Sequence, residues 1–389
     1  EEPGRVSMRI GIDVRMMYYS GAGIGQYIRR LVTSLARIIS EDEVVLFQSR
    51  HEKRLPLDNA RFTWRPLMTP AHHRFEQLSL PVELALSGLD VLHSPDFIPP
   101  MRKSFRSVVT VHDLAFLRFP HFLTRESAKY YGQIDDALKS SDHVIAVSEA
   151  TKLDLVQLLG VNPNRISVIH EAADPAFRVV PDSPALTDVR ARYSLPGPFI
   201  LFVSTIEPRK NLPTLLRAFK QLLDLQVAPG SAGRGADPCR PLTLAIVGKK
   251  GWLYEDVFTT AAELGLSERA RFLDRVPLED LLLLYNSAAA FVQPSLYEGF
   301  GLPPLEAMMA GAPVIVSDAA SLPEVVGEAG IKVPPMDVDA WVEALRLVLT
   351  DPDRRAEMVR LGQEQATHFS LDRMARETLA VYHKTAQRR

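Results

Sequence analysis

The sequence predicts an α/β protein that contains two doubly wound domains, each built on a parallel sheet. Short runs rich in branched apolar residues alternate with amphipathic stretches of helical length along the chain, a pattern typical of parallel sheets covered by helices. The alternation lapses over residues 171–188, where prolines cluster as they do in linkers. A length of 389 residues also exceeds one ordinary domain of roughly 100–200 residues. We therefore expect one domain over residues 8–180 and a second over residues 190–370.

Each half of the chain supplies six strand candidates. Those of the first half are Arg9–Val14, Val44–Ser49, Asp90–Pro95, Ser107–Asp113, His143–Ser148 and Ile166–His170, with helix candidates at 25–39, 124–140 and 148–159. Those of the second half are Phe199–Ser204, Leu242–Gly248, Arg271–Asp274, Ala289–Pro294, Pro313–Ser317 and Ile331–Val333. From residue 337 onward the pattern is helical, and residues 226–240, rich in Gly, Pro and Ala, are predicted to form a surface insertion.

Composition excludes several classes of protein. A net charge of −2 provides no overall basic field, so no nucleic-acid partner is expected. The single cysteine, Cys239, excludes an internal disulfide framework and a multi-cysteine zinc site, and it fits a reducing cytoplasm. The opening residues are acidic and polar, unlike a secretory signal, and no apolar run reaches the roughly 18 residues that span a bilayer. We expect a cytoplasmic protein whose fold begins near Met8.

Glycines follow the first predicted strand in the stretch SGAGIGQY. Gly21 and Gly23 superficially resemble a dinucleotide-binding fingerprint, but Gln26 stands where its third glycine should fall, so an NAD enzyme is poorly supported. The loop either caps a helix or lets a phosphate or sugar approach the backbone. Because ligands of open α/β sheets bind beyond the carboxyl ends of the strands, binding residues are expected at the other strand ends as well.

Three further strand ends carry candidate residues. His112 ends the run VHD and is either a hydrogen-bonded structural residue or a group of near-neutral pKa that lines a pocket. Arg209 and Lys210, in STIEPRKN, lie at a helix start, where the helix dipole disfavours cations. They form either a solvated pair or a site for a diphosphate. Gly248, in VGKKGW, is interpreted as part of a cleft wall, since the phosphate-loop pattern is absent.

The stretch LYEGFGLPPLEA places Glu298 and Glu306 on either side of a glycine loop. The apolar run before it predicts a buried strand, and the prolines suit the first turn of a helix. Such a helix start offers backbone N–H groups and a partial positive charge to an anion. The DxD pattern in DVDAW, at Asp337, is predicted to be a helix cap, and no metal site is expected.

Together these motifs resemble the retaining glycosyltransferases of family four. EGFGLPPLE is similar to that family's E-x7-E signature, and GIGQY, VHDLAF, EPRKN and GAPVIVSDAASLPEV occur in the family's order over essentially the whole chain. The resemblance implies a GT-B fold, in which two Rossmann-like domains face each other across a cleft. It also implies that a C-terminal helix, 371–389, returns to the N-terminal acceptor domain, while the C-terminal domain binds the donor.

The resemblance implies roles for particular residues. Glu306 would bind the ribose hydroxyls of the nucleotide, Glu298 the hydroxyls of the donor sugar, and Arg209 with Lys210 the donor diphosphate. Further contacts to the donor are implied for Phe300, Gly301 and Leu302 (backbone N–H groups), Gly23 (diphosphate), His112 (transferred sugar) and Val276 (base). Ser204 and Thr205 depart from the family, which often has Gly-Arg there, so more of the charge neutralisation would fall on Arg209 and Lys210.

The expected activity is retaining transfer of a hexose from a nucleotide sugar to a glycan or lipid-linked acceptor in polysaccharide or O-antigen synthesis. GDP-mannose is the leading donor and a UDP-sugar such as UDP-glucose stays open, with no cofactor and no metal required. A nucleotide-sugar epimerase and a catalytically silent scaffold are the alternatives. Residues 69–84 and 116–131 mix aromatic, apolar and basic residues, which fits contact with a lipid-linked acceptor or with the inner face of the membrane, or else a core-facing helix with one wet side.

Overall fold

The computed structural model describes residues 7–19, 23–51, 57–73, 75–120, 131–225 and 241–387, which form two compact units. Unit 1 comprises Glu1–Ala172 with Ser370–Arg389, and unit 2 comprises Ala173–Phe369. The division falls inside the segment predicted to be a linker. The predicted insertion at 226–240, including Cys239, and the first part of the predicted helix 124–140 lie outside the described residues.

Unit 1 is built on a seven-stranded sheet in which all neighbouring strands are parallel, in the order β3-β2-β1-β4-β5-β6-β7. Its strands are β1 Arg9–Asp13, β2 Glu43–Ser49, β3 Phe62–Leu67, β4 Val91–Ser94, β5 Arg106–Val111, β6 His143–Ala146 and β7 Ile166–Val168. Its first helices are α1 Met16–Tyr19, α2 Ile24–Ile38, α3 Glu76–Leu84, α4 Ala115–Arg118, α5 Ile134–Ser140 and α6 Glu149–Leu159.

Strand β3 was not predicted from the sequence, and the prediction of six strands in the first half was wrong by one. Helix α3 lies within residues 69–84, for which a core-facing helix was one of the two interpretations. β3 is an edge strand that contains Pro66 and buries only Phe62 and Leu67. Proline cannot donate a ladder hydrogen bond, so it is confined to such edges and weakens the sequence signal. α3 contains Pro81, which obscures a helical pattern in the same way.

Unit 2 is built on a six-stranded parallel sheet in the order β10-β9-β8-β11-β12-β13, and all six predicted strands are confirmed. The strands are β8 Phe199–Val203, β9 Thr243–Val247, β10 Ala270–Leu273, β11 Ala290–Gln293, β12 Val314–Ser317 and β13 Ile331–Val333. The helices are α7 Pro184–Arg192, α8 Leu212–Asp224, α9 Glu255–Glu263, α10 Leu278–Ser287, α11 Leu302–Met309, α12 Leu322–Val326, α13 Val338–Thr350 and α14 Pro352–Ala366.

The end of the chain is helical, as predicted. α13 begins at the predicted cap, where the Asp337 carboxylate accepts a hydrogen bond from the Ala340 N–H at 3.0 Å.

Within the described ranges, no group of three or more His, Cys, Asp or Glu residues is arranged to hold a metal ion. No helix in the described part of the chain is long and apolar enough to cross a bilayer.

The last helix, α15 (Leu371–Ala386), packs against α2 and the sheet of unit 1. A buried polar chain attaches it: the Tyr382 hydroxyl lies 2.6 Å from Nδ1 of His93, and Nε2 of His93 lies 2.8 Å from the Thr110 hydroxyl. Burial, together with the charge of His112, lowers the pKa of His93 to about 3. His93 is therefore a neutral core residue that joins the C-terminal helix to β4 and β5.

This neutral histidine makes unit 1 acid-sensitive. The unfolded chain protonates His93 below its ordinary pKa of 6.5, whereas the folded chain resists protonation down to about 3. The contribution of His93 is therefore complete above pH 6.5 and falls by about 1.4 kcal/mol per pH unit below it. Urea unfolding can be monitored by hydrogen exchange of peptides from β4. Between about pH 7 and about pH 5, His93→Gln should lose less stability per pH unit than wild type does. The exposed control His73→Gln should keep the wild-type slope, and an unchanged slope in His93→Gln would contradict the assignment.

Candidate active site

Three buried charged residues of unit 2, Glu207, Lys210 and Glu298, lie beyond the carboxyl ends of β8 and β11, which are neighbours in the sheet. β8 to β10 extend to one side and β11 to β13 to the other, so this is the point where the strand order reverses. Ligands of doubly wound sheets bind at that point. β8 continues into a 3-10 turn, Pro208–Lys210, and β11 continues through a glycine loop into α11.

Glu298 is at the centre of this group. Its Oε1 accepts hydrogen bonds from Lys210 Nζ at 2.6 Å, from Gln293 Nε2 at 2.8 Å and from the Ser295 hydroxyl at 2.7 Å. Its Oε2 accepts from Lys210 Nζ at 2.8 Å and from Arg209 Nη1 at 3.3 Å. Burial alone would raise the pKa of Glu298, but the charges of Lys210 and Arg209 outweigh it and lower the pKa to about 2. The carboxylate is therefore ionised throughout the physiological range.

The two cations are held by carboxylates on both sides. Arg209 Nε lies 2.5 Å from Oε1 of Glu207, while its Nη1 also donates to the Tyr297 carbonyl at 3.2 Å. Lys210 is 5 % exposed, so burial lowers its pKa, and the Glu298 carboxylate opposes that shift. Of the two interpretations, the solvated surface pair is wrong, because both cations belong to a largely buried ionic network with Glu298 and Glu207.

The glycine loop supplies fewer backbone donors than an ordinary helix start. Gly301 caps α11 with a φ of 112°, a conformation that glycine adopts without strain. Pro303 and Pro304 follow Leu302 in the first turn and carry no N–H. Of these three residues, Leu302 alone has a backbone N–H that it can donate. The Ser321 hydroxyl lies 2.9 Å from the carbonyl of Glu298 and 2.6 Å from that of Phe300, which fixes the loop.

Glu306 lies inside α11, half-buried, and is held separately from Glu298. Its Oε2 accepts a hydrogen bond from the Tyr285 hydroxyl at 3.1 Å. Burial, followed by the charge of Glu306, raises the pKa of Tyr285 well above its ordinary value, so this phenol remains a donor. The two signature glutamates therefore have different surroundings: Glu298 is neutralised by cations, whereas Glu306 is oriented by a neutral hydroxyl.

Two other predicted residues of unit 2 lie at neighbouring strand ends. A Cβ at Gly248 would overlap the carbonyl oxygen of Ser204, so the close approach of the β8 and β9 ends requires glycine there. Val276 is half-buried in the loop after β10, the edge strand two positions from β8.

The predicted residues of unit 1 lie in that unit's own strand-end loops. Gly23 precedes α2 with a φ of 53°, and a Cβ there would meet no atom of the described structure within 4 Å. His112 lies beyond β5, with Nδ1 2.7 Å from Oε1 of Glu171 and Nε2 2.9 Å from the Pro95 carbonyl. Burial acts to lower the pKa of His112, but the bonds to Glu171 and Pro95 raise it. Both ring nitrogens face acceptors, an arrangement that favours the doubly protonated imidazole and its pairing with Glu171.

Sequence reasoning missed the residues that hold the predicted ones in place. Gln293 and Ser295 bond to Glu298, and both stand in the stretch VQPS, where polar residues interrupt a buried strand end. That interruption was an available signal. Tyr285 and Glu171 gave none, since the first lies on a helix with no motif and the second is 59 residues from His112.

Two doubly wound parallel sheets, each with its polar residues beyond the carboxyl strand ends, define a GT-B-type α/β protein. The family profile of Glycosyltransferase Family 4 matches residues 21–177, and that of Glycosyl transferases group 1 matches residues 190–365. The chain therefore belongs to the family 4, group 1 glycosyltransferases.

The relatives include an O-antigen chain mannosyltransferase B of Escherichia coli. It is 32% identical over 402 aligned positions, which cover 96% of this chain and 99% of the relative. A D-inositol 3-phosphate glycosyltransferase of Corynebacterium efficiens is 30% identical over 285 positions, covering 71% of this chain and 65% of that protein. Among solved structures, the sucrose-phosphate synthase of Thermosynechococcus elongatus superposes with a TM-score of 0.75 at 21% identity, covering 97% of this chain and 98% of that one.

The buried ion pair makes unit 2 dependent on Glu298. Glu298→Gln removes the counter-charge of Lys210 and leaves a buried cation, which typically costs about 3–5 kcal/mol. We expect Glu298→Gln to unfold at a lower urea concentration than wild type at neutral pH. The difference in free energy of unfolding between the two proteins should shrink toward about pH 10, where Lys210 loses its proton in the unfolded chain as well. The control Glu343→Gln, in an exposed pair with Arg346, should leave the midpoint unchanged. Equal midpoints for wild type and Glu298→Gln would show that the pair does not form.

Proposed function

We propose that this protein is a retaining mannosyltransferase that transfers mannose from GDP-mannose to a glycan or lipid-linked acceptor in O-antigen-type polysaccharide synthesis. The observation that carries the proposal is the network of Glu298, Lys210 and Arg209 beside the Gly301 loop. This network combines cations for a diphosphate with a carboxylate for sugar hydroxyls at the strand-order reversal of unit 2. The mannosyltransferase relative supports mannose as the transferred sugar.

The charges that develop during the reaction explain why the network combines cations with carboxylates. The bond between sugar C1 and the diphosphate oxygen breaks, so positive charge develops on the ring and negative charge on the leaving group. Arg209 and Lys210 would stabilise the leaving diphosphate together with the Leu302 N–H, and this supply of positive charge requires no metal or cofactor in the proposal. Glu298 and Glu306 would orient sugar and ribose hydroxyls.

Retention is proposed to follow from attack on the face that the diphosphate leaves. The acceptor hydroxyl forms the new bond to C1, and its proton passes to a leaving phosphate oxygen, so atoms and charges balance without a covalent enzyme intermediate. His112 would lie beside the transferred sugar as a cation, and Gly23 would admit the diphosphate. The proposal assigns no side chain as a nucleophile.

Three alternatives are separable by direct assay. A UDP-sugar donor would differ at the base, near Val276. An epimerase would release an altered nucleotide sugar without an acceptor, so analysis of the products distinguishes it. A silent scaffold would be expected to have lost one of the charged residues, yet Arg209, Lys210, Glu298 and Glu306 are all present.

Donor identity is tested by calorimetric titration of GDP, UDP, GDP-mannose and UDP-glucose into the full chain. We expect the GDP compounds to bind, and Glu306→Gln to weaken them by at least the ~1 kcal/mol of one hydrogen bond, or about fivefold. Glu328→Gln, an exposed glutamate of the same unit, is the matched control and should bind as wild type does. Preferential binding of the UDP compounds would overturn GDP-mannose, and folded protein that binds none of the four would overturn the donor proposal.

We propose peripheral membrane contact through the outer stripe of unit 1, which we define as Phe75, Leu78, Val82 and Leu86. These side chains are 49%, 68%, 75% and 94% exposed, whereas Leu80 and Leu84 on the other face of α3 are buried. A helix that is apolar on both faces needs a partner on the outer one.

The chemistry around the outer stripe favours an anionic bilayer surface. Arg65 donates to the Glu83 carbonyl at the end of α3, and Arg50 contacts Met68, which is itself 67% exposed. Apolar residues bordered by arginine are typical of surfaces that lie in the lipid headgroup region. Such contact would place the reaction at the inner face of the membrane.

Vesicle co-sedimentation tests this contact. Substituting Leu78→Glu together with Val82→Glu should reduce binding to vesicles containing anionic phosphatidylglycerol by more than roughly tenfold, since each buried aliphatic side chain contributes about 1.5–3 kcal/mol. The matched control is Leu153→Glu with Leu158→Glu, which replaces two exposed leucines of α6 in the same unit. Equal binding by both double variants, or no binding by wild type, would refute the contact.

A further inference from the structure

His112 is held at both ring nitrogens by unit 1 itself. Its Nδ1 lies 2.7 Å from Oε1 of Glu171, and its Nε2 lies 2.9 Å from the carbonyl oxygen of Pro95. The side chains of His112 and Glu171 are 17% and 10% exposed, so little water competes with their bond. Glu171 follows β7, Pro95 follows β4 and His112 follows β5. The imidazole therefore joins three strand ends of the sheet.

These contacts decide where the protons of the His112 ring lie. A backbone carbonyl only accepts hydrogen bonds, so Nε2 must carry a proton that it donates to Pro95. If no proton lay at Nδ1, its lone pair would face the Glu171 carboxylate and the two would repel each other. A proton therefore lies between Nδ1 and Glu171, and neither nitrogen of His112 offers a free lone pair.

A second buried histidine of unit 1, His93, shows that burial alone does not produce this state. The nitrogens of His93 contact two hydroxyl groups, which are neutral and can donate as well as accept. Burial and the charge of His112 lower the pKa of His93 to about 3. Burial also acts to lower the pKa of His112, but Glu171, Pro95 and Asp96 raise it above the ordinary value of 6.5. The two rings thus differ in their partners rather than in their burial.

Tyr27 supports the His112 ring from the side. It lies on α2 and packs edge-on against the imidazole, with ring centroids 4.7 Å apart and an interplanar angle of 82°. Burial raises the pKa of the Tyr27 phenol, so this side chain stays neutral and contributes shape rather than charge. The neighbouring titratable groups are His93, Asp96, which lies 2.7 Å from His72, and Asp113, the next residue in the chain. Glu171 is the carboxylate that bonds to the ring.

We infer that Glu171 is a positioning residue for the proposed glycosyltransfer, because it orients the His112 ring and keeps both of its nitrogens protonated. The inference rests on the proposed place of His112 beside the transferred sugar. There the ring acts as a fixed positive charge. It does not take the proton of the acceptor hydroxyl, since a general base needs a free lone pair. That proton is left to the leaving phosphate oxygen, as in the proposed retaining step.

Glu171→Gln separates the charge of this residue from its shape. The amide can donate to a neutral Nδ1, so the ring keeps its place and its bond to Pro95. The proton affinity of His112 should fall at least about tenfold, because an adjacent opposite charge shifts a pKa by about one unit or more. NMR titration of the full chain with isotope-labelled histidine measures this change, and His112→Gln identifies the signal among the ten histidines.

Release of GDP from GDP-mannose provides a second measurement, in which mannose is transferred to water and no acceptor is needed. We expect wild type to lose this activity as the pH rises through the pKa of His112, because only the protonated ring carries the charge. In Glu171→Gln the falling limb of the kcat profile should move to lower pH by the amount that the NMR titration shows. A residue with a purely structural role would not move this limb.

The matched control is Asp142→Asn. Asp142 is a carboxylate of the same unit that pairs with Arg106 at the amino ends of β5 and β6, away from His112. This variant should keep the wild-type titration of His112 and the wild-type kcat profile.

Three results would overturn the inference: wild-type His112 that is mostly neutral at pH 6.5, an unchanged titration of His112 in Glu171→Gln, or a shifted titration with an unmoved falling limb. The first of these needs no variant, so the test does not depend on how well Glu171→Gln folds. A shifted titration in a protein whose wild type releases no GDP rejects the proposed transfer alone. It leaves Glu171 as the residue that keeps His112 protonated.

Discussion

Parallel strand pairing is the constraint on which both units depend. Parallel strands end at the same edge of a sheet, so residues far apart in sequence meet there without any local motif that joins them. In unit 2 this constraint brings Lys210, after β8, against Glu298, after β11, although 88 residues separate them. In unit 1 it brings the ends of β1 and β4 together around Asp13 and Ser94. The chemistry of each site is thus a consequence of strand order.

Buried charge then determines which residues are needed at those edges. A buried ammonium such as that of Lys210 is tolerated only with a counter-charge, so Glu298 has a structural task before any ligand binds. The same pairing gives a physical reason for the proposed role of the cations. A diphosphate that reaches the network would share Lys210 and Arg209 with Glu298, and the partly released carboxylate could then accept bonds from sugar hydroxyls. If the donor binds here as proposed, stability and donor binding would be coupled through Glu298.

The sequence predicted the strands and helices in which apolar residues recur regularly. It also pointed to those residues of the candidate site that belong to a recognisable motif. The central strands of unit 2, such as β8, are short apolar runs, and the family signature pointed to Glu298 and Glu306. Strand β3 was missed because Pro66 and its exposed edge position remove the apolar pattern. Glu207 and Tyr285 were missed for a different reason, since the residues that they orient come close to them only when the strand ends are brought together.

The two units differ in how the charges at their strand ends are balanced. In unit 2 two cations face two carboxylates, so a diphosphate would have to share Arg209 and Lys210 with Glu298 and Glu207. In unit 1, beyond β1, the single guanidinium of Arg15 bonds to both Asp13 and Glu76. A net charge of −2 for the whole chain conceals this difference, because overall composition averages clusters of different charge balance. A diphosphate would therefore meet less electrostatic repulsion in unit 2 than beside β1, which agrees with the proposal that the donor binds unit 2.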